Sequence, residues 1–194
     1  EVTVRPAAAA SGDSPQLPVA VRAETRYVPA GDGSTLESSR QGFVVERRWR
    51  VLDADDPQRP PRVEPIEQPT LLALPVGGVV EEHVRVVNAA ERNFVAVVIP
   101  LAAGIEALNP RLATASALAE PSRPLTLEPT YADFRDDRVA FYFDTLPPGS
   151  YDFYFRARAS VPGSFSQPPA YAEMMYRRSV FGRSAGARVE IDRE

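Results

Sequence analysis

The sequence predicts an all-β fold, a two-sheet antiparallel β-sandwich with at most a short helix, and three observations support this prediction. Twenty of the 194 residues are proline, about twice the usual share of roughly 5%, and proline interrupts almost every stretch that could form a long helix. Several segments alternate apolar and polar residues with a period of two, as half-buried strands do. Glycine and proline separate these segments at short intervals, which is typical of sandwiches.

The first part of the chain combines linker-like composition with one predicted strand. Residues 5–16 and 29–42 are rich in Pro, Ala, Gly and Ser, which is typical of linkers and loops. Residues 19–28 between them have the character of a strand. We expect residues 1–16 to be a linker or the end of a preceding domain, and residues 17–194 to form the β-sandwich domain. Because no signal peptide begins the sequence, we expect the chain to be a fragment of a longer protein.

The most regular alternation in the first half lies at residues 43–52, which predicts a half-buried strand whose apolar face is interrupted by Arg47. Residues 53–69 are rich in proline and acidic residues and are predicted to form a loop. Residues 79–88 and 93–99 follow as two strands, which we expect to pair as a hairpin. The second of these strands is apolar on both faces, so we expect it to be buried on both.

The clearest strand pair of the second half is formed by residues 138–145 and 151–160, with a tight turn, Leu-Pro-Pro-Gly-Ser, at residues 146–150. Proline presets φ in such a turn, and Gly149 is expected to supply a positive φ. The turn and Tyr151 resemble the tyrosine corner of immunoglobulin-like and fibronectin-like sandwiches. In that motif the tyrosine hydroxyl bonds back to an upstream backbone group.

Shorter elements complete the prediction: a strand within residues 104–108, one or two helical turns within residues 111–119, and a final strand at residues 187–191. The alternation also assigns one set of large apolar side chains to the sandwich interior. The predicted core comprises Val45, Trp49, Val97, Phe141, Phe143, Phe153 and Phe155.

The composition excludes several classes of function. The chain has no cysteine, which excludes disulfides, Cys-ligated metals and a Cys nucleophile. Its net charge is −4 with mixed signs, which argues against broad electrostatic binding of nucleic acid. No apolar run approaches the roughly 20 residues that span a bilayer, so we expect no direct membrane insertion by this segment.

The polar residues that could carry chemistry have simpler explanations. His83 is the only histidine, and we expect it to face solvent from a strand. The acidic run at residues 53–56 could bind Ca²⁺, but a solvated loop explains it better. Residues 133–138 interleave Asp and Arg, which favours local ion pairs over acid–base catalysis. The basic pairs at residues 47–48 and 177–178 are too short for a nucleic-acid site. We therefore predict that the chain is not an enzyme and has no catalytic residues, metal site or cofactor.

The segment at residues 171–176, Tyr-Ala-Glu-Met-Met-Tyr, leaves two interpretations open. Methionine and tyrosine fill gaps in cores, and they are also enriched at interfaces between proteins. Composition alone does not decide between core packing and a protruding apolar patch that covers a partner.

Several segments together resemble the C-terminal macroglobulin-like domain of bacterial alpha-2-macroglobulin family proteins. The resemblance extends over most of the chain from about residue 17. It is carried by GFVVER at 42–47, IPLAAGIEALNP at 99–110, RDDR at 135–138, LPPGSY at 146–151, RARASVPGSF at 156–165, PPAYAEMMY at 168–176 and FGRS at 181–184.

This resemblance implies a role within a protease trap. In such proteins a protease cuts a bait region, the molecule rearranges, and the protease is caged; thioester-bearing members then capture it covalently. The C-terminal domain is non-catalytic and packs on the thioester domain, and its Met-Tyr pair shields the thioester from water. That pair matches Met175 and Tyr176. The family also contains members without a thioester, and similar sequences often have proline where this chain has Arg178.

The resemblance further implies that the partners are the other domains of the parent chain, namely the thioester domain and the neighbouring macroglobulin domains. Proteases would be partners through the parent protein, an endopeptidase inhibitor in the periplasm or at the cell surface, with a membrane anchor. The alternative is a stand-alone carbohydrate- or protein-binding β-sandwich, as in adhesins. That alternative predicts an aromatic platform, for which Trp49 and Tyr154 are the candidates.

Overall fold

A computed structural model describes residues 33–53, 62–66 and 71–193, with side chains described at 33–52 and 71–193. These residues belong to one unit, Gly31–Glu194. The strand predicted at residues 19–28, the domain boundary predicted at residues 16 and 17, and Asp55 and Asp56 of the acidic run lie outside the described residues.

The described residues form strands and two short 3₁₀ turns, and the strands are numbered here in chain order. Their bounds are β1 Ser39–Gln41, β2 Phe43–Asp53, β3 Arg62–Ile66, β4 Leu71–Pro75, β5 Val79–Asn88, β6 Arg92–Pro100, β7 Ile105–Leu108, β8 Tyr131–Phe134, β9 Arg138–Leu146, β10 Gly149–Ala159, β11 Gly163–Gln167, β12 Tyr171–Met174, β13 Arg177–Arg183 and β14 Ala187–Asp192. The 3₁₀ turns are Gly33–Thr35 and Ala117–Ala119.

These strands form three sheets. The six-stranded sheet has the order β1-β13-β12-β6-β9-β8, and the five-stranded sheet has the order β3-β2-β5-β10-β7. A three-stranded sheet, β11-β14-β4, contains an antiparallel pair and the parallel pair β14–β4. The all-β sandwich prediction is confirmed, and the third sheet is an addition to the two that the sequence predicts.

The two larger sheets pack face to face through aromatic side chains. The ring of Phe141 in β9 stacks on Phe153 in β10 with centroids 5.0 Å apart, and Phe134 meets Phe155 edge to face at 6.4 Å. All seven residues of the predicted core are buried in this cluster. Period-two alternation therefore identifies the inward faces correctly, because successive side chains of a strand point to opposite faces of the sheet.

The predicted pairing of consecutive strands is wrong in both cases. β5 lies between β2 and β10 in the five-stranded sheet, whereas β6 lies between β9 and β12 in the six-stranded sheet. β9 and β10 are likewise separated into the two sheets. Both short connections cross the sandwich, and alternation in a sequence does not show whether the next strand lies beside a strand or across the core from it.

Two local predictions also require correction. The sequence predicts a loop at residues 53–69, but β3 lies within them and pairs antiparallel with β2. Proline is compatible with a strand at a sheet edge, which is the position of β3. Gly149 does not adopt a positive φ; its small size matters instead, because a Cβ there would lie 3.1 Å from the hydroxyl of Tyr151.

No helix among the described residues is long and apolar enough to cross a membrane.

Candidate functional site

Met175 and Tyr176 form the turn that joins β12 to β13. Met174 pairs with Arg177, so the two residues stand between the paired ends of the hairpin. The register shifts between Glu173 and Met174, which marks an irregularity just before the turn. Met175 is 37% exposed and Tyr176 is 82% exposed. Both side chains therefore project from the sandwich rather than fill its core.

Phe94 of β6 completes an exposed apolar surface with these two residues, and we call Phe94, Met175 and Tyr176 the apolar tip. The ring of Phe94 meets the ring of Tyr176 edge to face, with centroids 5.3 Å apart. The backbone N–H of Met175 donates to the carbonyl of Phe94 at 2.8 Å. Phe94 is itself 47% exposed. The sequence offered no reason to single out Phe94, because it falls within an apolar strand.

Charged residues border the apolar tip, and an arginine with hydrogen bonds lies next to the turn. Arg177 and Arg178 follow the turn and are exposed. Next to the turn, the Arg92 guanidinium donates to Asn88 at 2.9 Å and lies 3.9 Å from the sulfur of Met174, the residue before Met175. An apolar centre with a polar border is the usual composition of a protein interface.

A second cluster of hydrogen bonds lies around Tyr151 and shares Asn88 with Arg92. The Tyr151 hydroxyl donates to the Pro147 carbonyl at 2.8 Å, which is the geometry of a tyrosine corner. The amide of buried Asn88 donates to the carbonyls of Leu146 and Pro147 at 3.0 and 2.9 Å. Asn88 thus connects the tyrosine corner to Arg92 through hydrogen bonds. Sequence reasoning missed this residue. An asparagine at the end of β5, directly after two valines, was the one available signal.

The prediction that His83 faces solvent is wrong, since this residue is only 5% exposed. Its ring stacks on Tyr154 with centroids 4.4 Å apart. Its Nε2 lies 2.7 Å from Asp152 Oδ1, and Arg85 donates to the same carboxylate at 2.8 Å. The polar face of the five-stranded sheet is therefore packed here, because the neighbouring strand supplies an aromatic ring and a carboxylate at matching register positions.

Burial and hydrogen bonding shift two pKa values in this cluster. Burial lowers the pKa of His83 below 6.5, although the hydrogen bond and charge of Asp152 oppose the shift. Burial alone would raise the pKa of Asp152, but the hydrogen bonds from Arg85 and His83 outweigh it and hold the pKa below 3.8. A neutral imidazole that donates to an ionised carboxylate is the state that both shifts favour.

Inside the sandwich, Arg47 forms a buried ion pair with Glu82. Its guanidinium makes two hydrogen bonds to the carboxylate, at 2.8 and 2.7 Å, and two more to the carbonyls of Pro100 and Pro168. It also lies over the Trp49 ring at 5.3 Å. Every contact of this cation is within the domain, so the interruption of the apolar face by Arg47 has a structural explanation.

A second buried pair joins Glu81 to Arg156 at 3.2 Å on the opposite face of the same sheet. The backbone N–H and hydroxyl of Ser122 donate to the Glu81 carboxylate, and Arg156 donates to the Leu118 carbonyl. The pair thus fastens the segment that contains Leu118 and Ser122 to the sheet. Buried carboxylates are saturated with donors here, which leaves them no evident role in acid–base chemistry.

The remaining candidates of the sequence form no site. Asp133 pairs with Arg135 at 2.6 Å, and Asp137 pairs with Arg138 at 2.9 Å, as expected for local ion pairs. Among the described residues, no three His, Cys, Asp or Glu side chains are grouped as metal ligands would be. Both residues proposed for an aromatic platform, Trp49 and Tyr154, are buried, so they offer no surface to a ligand.

Three comparisons with known proteins agree on one family. The family model described as "Bacterial Alpha-2-macroglobulin MG10 domain" matches residues 42–178. An alpha-2-macroglobulin homolog from Nostoc sp. is 26% identical over 151 residues, which are 78% of this chain and 8% of that relative.

Solved structures of alpha-2-macroglobulins have a similar fold. The Salmonella protein reacted with methylamine is 22% identical with a TM-score of 0.59, over 84% of this chain and 10% of that one. The trypsin-activated Escherichia coli protein is 19% identical with a TM-score of 0.61, over 80% of this chain and 11% of that one. The chain therefore spans about a tenth of the length of these relatives.

Proposed function

Because the chain belongs to the bacterial alpha-2-macroglobulin MG10 domain family, we propose that it is the non-catalytic C-terminal module of a bacterial protease trap. In this proposal it docks on the domain that carries the thioester, when the parent protein has one. The relatives are about ten times longer than this chain, so the other domains of a parent chain are its natural partners.

The observation that carries the proposal is the exposure of Met175 and Tyr176 at a hairpin turn. A large tyrosine at 82% exposure contributes little to the stability of its own domain. The same ring can exclude water and small nucleophiles from a partner surface, which a reactive acyl thioester requires. Arg177 and Arg178 can remain solvated at the border of such a contact.

The test compares the parent protein with the present chain by hydrogen exchange at the backbone amides of residues 174–178. We expect stronger protection of this turn in the uncleaved parent than in the isolated chain, where the Met175 amide is already hydrogen-bonded to Phe94 but the turn is exposed. A loss of protection after cleavage of the parent by a protease would agree with rearrangement of the trap. Equal exchange in the isolated chain and the uncleaved parent would exclude docking through this turn.

If the parent has a thioester, its reactivity gives a second measurement. We expect the variant carrying Met175→Ala and Tyr176→Ala to release thiol faster with methylamine than the wild-type parent does, while the domain stays folded. Tyr131→Ala is the matched control, because Tyr131 is also exposed but lies on β8, away from the turn. Equal rates in the wild type and the double variant would return the pair to a merely structural role.

The same proposal places the parent in the periplasm or at the cell surface, held by a membrane anchor, where it would meet proteases. The isolated chain should neither hydrolyse substrates nor inhibit proteases, because it contains neither a bait region nor a cage. Stoichiometric inhibition of a panel of endopeptidases by the purified chain would contradict this. Cell fractionation of the parent would test its location.

One observation favours the alternative of a carbohydrate-binding module. Tyr131 is 60% exposed and stacks on Tyr142 with centroids 6.0 Å apart, on the outward face of the six-stranded sheet. This pair, rather than Trp49 and Tyr154, is the available aromatic platform. Titration of the isolated chain with oligosaccharides, followed by intrinsic fluorescence in the wild type and in Tyr131→Ala, would distinguish the two functions.

A further inference from the structure

Phe94 has the one backbone conformation in the described residues that its side chain disfavours. Its φ is +55°, and it is the only residue other than glycine with a positive φ in the part of the chain that the structure describes. A side chain with a Cβ is sterically crowded in this region, and for a bulky residue it is a genuine outlier. Such outliers persist only where surrounding structure holds them, and they cluster at functional sites.

The pairing of β6 does not account for this conformation. Asn93 pairs with Thr145 and Val95 pairs with Phe143, so the register between β6 and β9 is the same before and after Phe94. Burial does not account for it either, because nearly half of the side chain is exposed. The unfavourable φ therefore serves neither strand register nor core packing.

Two contacts join Phe94 to the turn after β12. Its carbonyl accepts the hydrogen bond from the Met175 N–H, and its ring packs edge-on against Tyr176. The hydrogen bond fixes the backbone of the turn, and the ring contact restricts the tyrosine side chain. These two contacts anchor two successive residues of the exposed turn.

We propose that Phe94 is the positioning residue of the docking turn, which it holds in its bound shape before any partner arrives. Its partner surface would be an apolar pocket on the adjacent domain of the parent chain that accepts Tyr176 as a rigid anchor. Ordering the anchor beforehand removes the entropy loss of immobilising it on binding. This inference rests on the docking role proposed above, and its first test does not depend on that role.

The first test is made on the isolated chain, by NMR relaxation of the amides of Met175 and Tyr176. In the wild type we expect order parameters near the rigid value of about 0.85, and in Phe94→Gly we expect values below about 0.6. Phe94→Tyr keeps the ring and should restore the rigid values. Phe94→Gly should lower the unfolding midpoint only modestly, because relief of the crowded φ offsets part of the loss from the half-buried ring and from the greater entropy of the unfolded chain.

This combination separates positioning from ordinary structural support. A residue whose main role is core packing would, when replaced by glycine, lower the unfolding midpoint as much as Phe153→Gly does, because Phe153 is fully buried, and that outcome would overturn the proposal. An ordered turn in Phe94→Gly would overturn it as well. A mobile turn in a domain that stays folded, with an unfolding midpoint well above that of Phe153→Gly, is the result that supports it.

The second test uses the uncleaved parent protein and amide exchange at residues 174–178. Phe94→Gly should give protection between that of the wild type and that of the variant carrying Met175→Ala and Tyr176→Ala. If the double variant changes nothing in the parent while Phe94→Gly still loosens the turn in the isolated chain, the docking role fails and the positioning role stands. If the double variant loses protection but Phe94→Gly leaves the turn rigid, the positioning role fails alone.

Discussion

Two regions of the molecule are unusual in opposite ways, since charges usually lie at the surface and large apolar side chains in the core. The regions are the ion pair of Arg47 with Glu82 and the apolar tip. The ion pair places charge inside the sandwich, and the apolar tip places aromatic rings outside it. The buried charges are fully satisfied by partners within the domain, whereas the exposed rings contact mainly each other. Buried charges whose partners all lie within the domain indicate a structural role. Exposed aromatic rings without such partners indicate a surface that binds another domain.

The largest expected effect comes from breaking the ion pair on one side. Glu82→Ala would leave the Arg47 guanidinium buried without its carboxylate, which typically destabilises a protein by about 3–5 kcal/mol. Denaturant unfolding of the variant should show a loss of that size. Arg48→Met is the matched control, because its pair with Glu46 is solvent-exposed and contributes roughly 0–1 kcal/mol.

Replacing both Arg47 and Glu82 tests whether the unpaired buried charge causes the loss of stability in Glu82→Ala. A variant carrying Arg47→Met and Glu82→Leu removes both charges and fills the space with apolar side chains. Such replacements of buried pairs are often neutral or stabilising, so the double variant should recover most of the loss seen in Glu82→Ala. A double variant as unstable as the single one would show that apolar side chains do not replace the contacts of this pair, and it would count against the interpretation.

The next effect is a loss of stability in acid through His83. Because burial lowers the folded-state pKa below 6.5, the unfolded chain takes up a proton first as the pH falls. The stabilisation from the neutral ring is therefore complete above pH 6.5 and is lost as the pH falls through the folded-state pKa. Asp152, whose pKa is held below 3.8, adds a separate loss only below that pH.

Unfolding midpoints measured between pH 7.5 and pH 5 would test this. In His83→Gln, which keeps a hydrogen-bond donor near Asp152, the midpoint should depend less on pH across that range than in the wild type. The same slope in both proteins would show that the acid sensitivity originates elsewhere in the domain.

A smaller effect is expected at the tyrosine corner. Tyr151→Phe removes the hydrogen bond to the Pro147 carbonyl, whose other donor, Asn88, remains. The loss should therefore be that of one ordinary hydrogen bond, about 0.5–1.5 kcal/mol. An unchanged melting midpoint would show that the hydrogen bond of the Tyr151 hydroxyl contributes nothing measurable to the stability of the domain.

The same contrast between local and long-range determinants explains what could be predicted from sequence. Strand positions and inward faces follow from local patterns, and these were largely recovered, whereas composition left the exposure of Met175 and Tyr176 undecided. The assignment of β5 and β6 to different sheets depends on contacts far apart in sequence, and alternation carries no information about them. The burial of His83 likewise depends on Tyr154 and Asp152, about seventy positions further along the chain.

Phe94 could not have been found from the sequence for a related reason. A phenylalanine within an apolar strand predicts core packing, and only the sign of its φ and the position of the turn distinguish it. Its role depends on a hairpin that begins almost eighty residues later. A site that depends on the backbone conformation of one strand and on a turn between two others produces no local pattern in the sequence.

The smallest expected effect on the isolated domain is that of Tyr176→Ser. A small effect is what we expect of a side chain that contacts a partner and not its own domain. The side chain is exposed at a turn and rests on a single exposed ring, so its removal should change the free energy of unfolding by no more than about 0.5 kcal/mol. In the uncleaved parent the same substitution should expose the turn to exchange, because the lost contacts would be those with the partner. If Tyr176→Ser instead destabilised the isolated domain as strongly as Tyr151→Phe does, the tip would be satisfied internally like the Arg47 pair. The exposed rings would then indicate structure, and the case for a partner at this surface would be lost.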